Sequence, residues 1–208
     1  DGAVSRRSLC SRQVAQAVIL CTGASYHRDI TRVVADTAYI CSLLQLTAEA
    51  GRPAGAAIRQ WQRRKGPLEK LLFLDAEGNC RAAGPGKTLA DALRERETAD
   101  YPMVWLEGAV TDAAVRPLFL SNISLGGRLF LAEDSSKILL SREVCEKLYQ
   151  KGARLAVLEE TALLAVCINP FSAYGDHFDK EEFRERMENA VSLPVIDVLE
   201  DCDDYIDL

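Results

Sequence analysis

The sequence predicts an α/β fold: a mainly parallel sheet flanked by helices, with a β-hairpin excursion near residues 70–83. Two observations carry this. Short continuous apolar runs at 18–20, 103–106 and 163–168 read as strands covered on both faces, the pattern of parallel sheets wrapped by helices. Between them lie stretches of helical period that begin at capping residues, and strands alternating with helices are the signature of a parallel sheet. The chain has 208 residues, of which 48% are hydrophobic, enough for a substantial core. We read 1–208 as a single α/β domain, with 68–86 as a hairpin insertion or an antiparallel edge on a mixed sheet.

In order, residues 17–21 form a short buried strand, and Thr22-Gly23-Ala24 end it with small residues that let something approach the backbone. Asp29 is a good N-cap, and Ile30, Val33, Val34, Thr37, Cys41 and Leu44 repeat at helical spacing through about Ala48. Gly51-Arg52-Pro53 stop that helix, and 54–64 read as a weaker, basic one carrying Trp61. The period then changes. Residues 70–74, a turn at 76–79 and 80–83 read as a hairpin.

Gly84-Pro85-Gly86-Lys87-Thr88 invites comparison with a phosphate-binding loop, but the motif wants glycine where this chain has Arg81, and Pro85 lacks the N–H a phosphate cradle would use. The better reading is a turn in which Thr88 caps the helix containing Leu89, Ala92 and Leu93. Strands follow at 103–106, 127–131, 154–158, 163–168 and 195–199, with a short extended piece at 137–140. Helices start at Thr111 or Asp112, at Ser141 (ending at Gly152) and at Asp179. At the last of these, Glu182 is placed to complete a capping box and Phe178 to pack on Phe183 as a hydrophobic staple.

Charge and cysteine usage narrow the function classes. The formal charge of −6 comes from 25 basic and 31 acidic residues, and the acids crowd the end of the chain. Nucleic acid needs a basic surface, so it does not fit as a partner; the basic cluster Arg59, Arg63, Arg64 and Lys65 suits a solvated helix end. The seven cysteines form no CxxC, and only His27 and His177 accompany them, which reads as reduced thiols in a cytoplasmic protein rather than a zinc or disulfide framework. No apolar run reaches the roughly 18 residues of a membrane span, so no membrane partner is expected. A first residue other than Met reads as part of something longer or a processed product.

Candidate functional residues gather at strand ends, where open α/β sheets bind ligands. If 17–22, 103–107 and 163–168 are parallel neighbours, Thr22, Gly23, Glu107, Gly108, Asn169 and Ser172 line one edge of one sheet, with Pro170 fixing the loop after Asn169. Asn169 is the strongest of these, since a side-chain amide offers both donor and acceptor. His27 and His177 sit in loops after strands, as general bases or as ordinary solvent-facing side chains. No GxSxG, GxGxxG or Cys/His pair assembles a catalytic constellation, so the catalytic residues stay unassigned.

Asp1-Gly2-Ala3 with Arg6, Arg7 and Ser8, then residues 18–24 (VILCTGA), Arg28-Asp29-Ile30, 106–112 (LEGAVTD) and 169–179 (NPFSAYGDHFD) resemble the P-loop NTPase-like accessory or reactivating proteins of cobalamin-dependent lysine and ornithine aminomutases. The likeness runs over nearly the whole chain. It implies the C-terminal part of a longer ATPase, with the phosphate-binding loop in a preceding segment, and with ATP and Mg²⁺ as cofactors of the intact parent rather than tight ligands of this chain. It also implies that Asp1 helps hold Mg²⁺ through water, that Asn169 and Pro170 lie near the nucleotide base, and that the partner is an aminomutase using cobalamin and pyridoxal phosphate. A non-enzymatic protein-interaction domain on the same scaffold, or a small-molecule enzyme of unidentified chemistry, are the alternatives.

Overall fold

The computed structural model describes residues 10–11, 13–48, 52–64 and 69–200. Its elements run β1 (Val18–Gly23), α1 (Ile30–Leu44), α2 (Arg52–Gln62), β2 (Leu71–Leu74), β3 (Cys80–Ala82), α3 (Leu89–Arg94), β4 (Met103–Leu106), β5 (Val110–Thr111), α4 (Asp112–Phe119), β6 (Leu129–Asp134), β7 (Ile138–Leu139), α5 (Arg142–Gln150), β8 (Arg154–Glu159), β9 (Leu163–Asn169), α6 (Lys180–Ala190) and β10 (Val195–Asp197). The protein is α/β, as the sequence predicts. The described residues group into two compact units, unit 1 within 1–12 and 46–160 and unit 2 within 13–45 and 161–208.

Unit 1 holds a five-stranded mixed sheet in the order β3-β2-β4-β6-β8. β4, β6 and β8 are parallel, with Val104 opposite Phe130 and Phe130 opposite Leu155, while β2 runs antiparallel to both β3 and β4. The hairpin is therefore an antiparallel edge on a mixed sheet. Asp75 organises its turn by accepting from the backbone N–H groups of Glu77 and Asn79 and from the Asn79 side-chain amide, and Gly78 takes the left-handed conformation there (φ 85°).

Strand period sorts the side chains of this sheet onto two faces. Leu72, Leu74, Met103, Trp105, Leu131 and Ala156 share one face with Ala54 and Ile58 of α2 in a single apolar cluster. Phe73, Val104, Phe130, Leu155 and Val157 occupy the other, and the apolar sides of α3, α4 and α5 supply buried Leu89, Leu93, Val115, Leu118, Val144 and Leu148. A separate two-stranded ladder pairs Val110 of β5 with Ile138 of β7.

Unit 2 is a three-stranded parallel sheet in the order β1-β9-β10, with α1 and α6 packed on each other. Val166 and Ile168 of β9 are fully buried, as are Val33 of α1 and Phe183 and Met187 of α6.

Several boundaries differ from the sequence reading for local reasons. β6 runs on through Glu133 and Asp134 instead of stopping at 131, because the buried Asp134 carboxylate is satisfied by the Ser11 hydroxyl (2.9 Å) and the Ser136 N–H (2.8 Å). α1 ends at Leu44 rather than near Ala48, since Thr47 and Ala48 turn to bond Val157 and Glu160. β10 stops at Asp197, whose carboxylate accepts the Leu199 N–H and bends the chain.

The N-caps expected at Asp29, Thr88, Ser141 and Asp179 all form, and α4 is capped by Thr111. Asp112, the first residue of α4, also accepts from the Ser141 N–H (2.8 Å), the Ser141 hydroxyl (2.7 Å) and Arg116 (3.2 Å), tying the starts of α4 and α5 together. Burial pushes its pKa up, but the bonds from Ser141 and Arg116 outweigh this and hold it below the ordinary aspartate range. A depressed folded pKa contributes stability that is present above the unfolded value and is lost as pH falls through the folded one. Asp112→Asn is therefore expected to cost about 1 kcal/mol at neutral pH. Urea unfolding of the two proteins should converge as the pH is lowered below about 4, and a difference that persists in acid would show that the carboxylate charge is not the source.

Candidate functional site

In unit 2 the strands β1 and β9 are parallel neighbours in register from Ile19 opposite Ala165 to Gly23 opposite Asn169, so their C-terminal ends lie side by side. Two loops leave this edge, residues 24–29 toward α1 and 170–179 toward α6. Direct bonds join them: the Ala24 N–H donates to the Asn169 carbonyl (3.0 Å), the Ala173 N–H reaches the Ser25 hydroxyl (3.4 Å), and Arg28 pairs with Asp176 (3.0 Å).

Gly23 is what allows the approach. A Cβ on it would stand 2.1 Å from the Asn169 carbonyl oxygen. The group that comes close to this glycine is thus the neighbouring strand. The Thr22 hydroxyl accepts from Thr37 of α1 (3.0 Å), fixing β1 to its helix.

The β9–α6 loop is tightly organised. The Asn169 Oδ1 accepts the Phe171 N–H (2.9 Å) across Pro170, an Asx turn, and the Ser172 hydroxyl accepts the Tyr174 N–H (3.1 Å). Phe171 and His177 form an antiparallel bridge and stack with centroids 6.5 Å apart, and Lys180 lies 5.7 Å above the Phe171 ring. At the end of the loop the Phe178–Phe183 staple forms edge to face at 5.0 Å. Asp179 caps α6, while Glu182 pairs with Arg186.

What the loops present outward is aromatic and polar: Tyr174 is 82% exposed, Phe171 and Tyr26 are partly exposed, and the Asn169 amide nitrogen is hydrogen-bonded to nothing among the described residues. Tyr26 donates to Asp36 (3.0 Å), and burial together with that bond raises its pKa. His27 accepts the Asp29 N–H on Nδ1 at the start of α1, so it serves the turn and has the environment of a structural residue. The cross-loop pair Arg28–Asp176 and the Lys180–Phe171 contact carried no sequence signal, because each depends on two loops or two elements meeting.

The expectation that the three strand ends lie on one edge of one sheet does not hold. Thr22, Gly23, Asn169, Pro170 and Ser172 come together in unit 2, whereas Glu107 and Gly108 stand at the end of β4 in unit 1, in a different sheet. β4 is paired on one side by β2 and on the other by β6, which leaves it no open edge for β1 or β9. At that end of unit 1, Gly108 takes a left-handed φ of 86° in the turn between β4 and β5. Asp1, with Arg6, Arg7, Ser8 and the acidic residues 201–208, lies outside the described residues.

The Gly84–Thr88 turn is built as the sequence suggests. Gly84 and Gly86 take positive φ, Thr88 caps α3 through the Asp91 N–H, and Lys87 is paired with Glu95. Its lysine and its hydroxyl are thus occupied internally. Among the described residues no group of three His, Cys, Asp or Glu side chains is placed to hold a metal, no disulfide joins the cysteines, and no helix is long and apolar enough to cross a membrane. No family model, curated protein or solved structure matches the chain.

Proposed function

We propose that this chain is the nucleotide-binding part of a cytoplasmic accessory protein that helps maintain a cobalamin- and pyridoxal-phosphate-dependent aminomutase. One observation supports it most: the conjunction, at the C-terminal edge of the parallel strands β1 and β9, of an Asn169 amide nitrogen with no hydrogen-bond partner among the described residues and the exposed rings of Phe171 and Tyr174. That edge is where open α/β sheets receive ligands, and an amide beside aromatic faces suits a purine, which needs edge hydrogen bonds and a stacking surface. The resemblance of residues 18–24, 106–112 and 169–179 to aminomutase accessory ATPases supplies the substrate class and the partner.

The described residues suit the base of ATP better than its phosphates. Lys87 and Thr88 are engaged within their own turn, and Arg28 of the β1–α1 loop is held by Asp176. Phosphate and Mg²⁺ contacts are therefore assigned to residues beyond those described, Asp1 among them. On this reading the chain's own part is recognition and positioning rather than hydrolysis.

Asn169→Asp tests the reading more cleanly than Asn169→Ala. Aspartate keeps the oxygen that closes the turn on Phe171 but removes the amide donor, so the fold is retained while base recognition is lost. ATP affinity of the intact parent, measured by calorimetry, is expected to fall by about 1–2 kcal/mol in the Asp variant. Unchanged affinity with an unchanged circular dichroism spectrum would reduce Asn169 to a turn residue. A second experiment addresses the partner: with ATP, the intact parent should restore turnover to an aminomutase inactivated by damaged cobalamin, and no restoration would favour the interaction-domain alternative.

A further inference from the structure

Unit 1 carries a cavity of about 430 Å³ at the opposite end of its parallel strands, where β4 and β6 begin. Its wall is formed by the end of α3, the 3₁₀ turn at Arg96–Thr98 and the loop 122–128 that enters β6. Three of the lining side chains are guanidiniums, Arg94, Arg96 and Arg128, against one carboxylate, Glu95, which is already paired with Lys87. Leu93 and Ile123 give the same cavity an apolar side, and Asn122 adds an amide.

Arg128 is the centre of this arrangement. Its Nη1 donates to the carbonyls of Thr98 (2.8 Å) and Tyr101 (2.5 Å), which fixes the plane of the guanidinium. No carboxylate pairs with it among the described residues, and its remaining donors have no partner there. Half-burial without a counterion works against the cation and lowers its pKa. The backbone beneath it is firmly placed, because the Gly127 N–H donates to the Gly152 carbonyl and the Leu129 N–H to the Pro102 carbonyl. Arg96 makes no ion pair among the described residues, and Arg94 is shared with Asp91 (3.0 Å). A pre-oriented arginine fork that lacks an anion, next to a second unpaired arginine and an apolar wall, is the chemistry of an oxyanion site.

We propose that this cavity binds a small organic anion, with its carboxylate or phosphate on Arg128 and Arg96 and its apolar body against Leu93 and Ile123. The inference does not depend on the nucleotide reading, since it concerns a different end of a different sheet. The probes are phenyl phosphate, benzoate, inorganic phosphate and neutral benzyl alcohol, titrated at low salt and followed by amide chemical shifts of the whole chain. Phenyl phosphate or benzoate should shift residues 93–99 and 122–128, and whichever binds more tightly names the head group.

Arg96→Gln, which removes an exposed side chain with no structural bond, is expected to weaken that binding about tenfold, the scale of one charge-assisted hydrogen bond. Arg128→Lys keeps the charge but loses the fork, and should weaken it at least as much. Equal binding of inorganic phosphate would overturn the organic body, and equal binding of benzyl alcohol would overturn the anion. Unchanged affinity in both variants, or no shifts in these segments with any probe, would overturn the site.

Discussion

Gly23→Ala is expected to lower the stability of unit 2 by about 3 kcal/mol. The added Cβ would lie 2.1 Å from the Asn169 carbonyl oxygen, 3.0 Å from its carbon and 3.2 Å from the Asn169 Cβ. The obstacle is backbone, so no rotamer change relieves it. Either β1 or the end of β9 must move, and the Ala24 N–H to Asn169 carbonyl bond breaks with it. Overpacking of this kind costs on the order of 1–3 kcal/mol and a lost hydrogen bond about 1.

The readout has to be chosen with the fold in mind. Both tryptophans of the chain, Trp61 and Trp105, belong to unit 1, so their fluorescence is a poor reporter of unit 2. Amide exchange over β1, β9 and α6 is the direct measurement, because it reads opening segment by segment. Wild-type protection of the 18–23 and 163–169 amides in the variant would show that the strands tolerate a methyl group there. Under the proposed function, nucleotide affinity of the intact parent falls in the same variant, since the displaced Asn169 carries the turn at the candidate site.

What the sequence made legible was local. The caps at Asp29, Thr88, Ser141 and Asp179 follow from one polar side chain reaching an N–H two or three residues on, and every one formed. The Phe178–Phe183 staple and the hairpin are of the same kind. Sheet membership was not legible, because the runs at 103–106 and 163–168 look alike as buried strands and only long-range pairing assigns them to different sheets.

The site was half visible for the same reason. Thr22-Gly23 and Asn169 do come together, but a sequence shows neither that the close approach to Gly23 is made by Asn169 itself nor that the Asn169 oxygen is already used by Phe171. Arg128 gave no signal at all. It follows Gly126-Gly127 just before β6, and its interest lies wholly in the two carbonyls of Thr98 and Tyr101 and in the carboxylate it lacks.

Trp105→Ala is expected to be the most destabilising truncation in unit 1, at about 3–5 kcal/mol, whereas Trp105→Phe should cost little. Trp105 is 1% exposed in the centre of the five-stranded sheet, packed among Leu72, Leu74, Met103, Leu131 and Ile58. Trp61 of α2 meets it edge to face, with centroids 5.4 Å apart and an interplanar angle of 76°. Truncation to alanine removes the largest fully buried side chain among the described residues and leaves a cavity under α2 that the flanking strands cannot close.

Phenylalanine keeps much of the ring and the contact with Trp61. It also deletes the indole N–H, which is buried with no hydrogen-bond partner among the described residues. An unpaired buried donor costs about 1–3 kcal/mol, which offsets the volume lost on going to phenylalanine. Urea unfolding followed by far-ultraviolet circular dichroism, with Trp61 as the remaining fluorophore, separates the two effects. If Trp105→Phe proves as damaging as Trp105→Ala, the indole N–H makes a bond worth more than the ring, and the orphaned donor is not one.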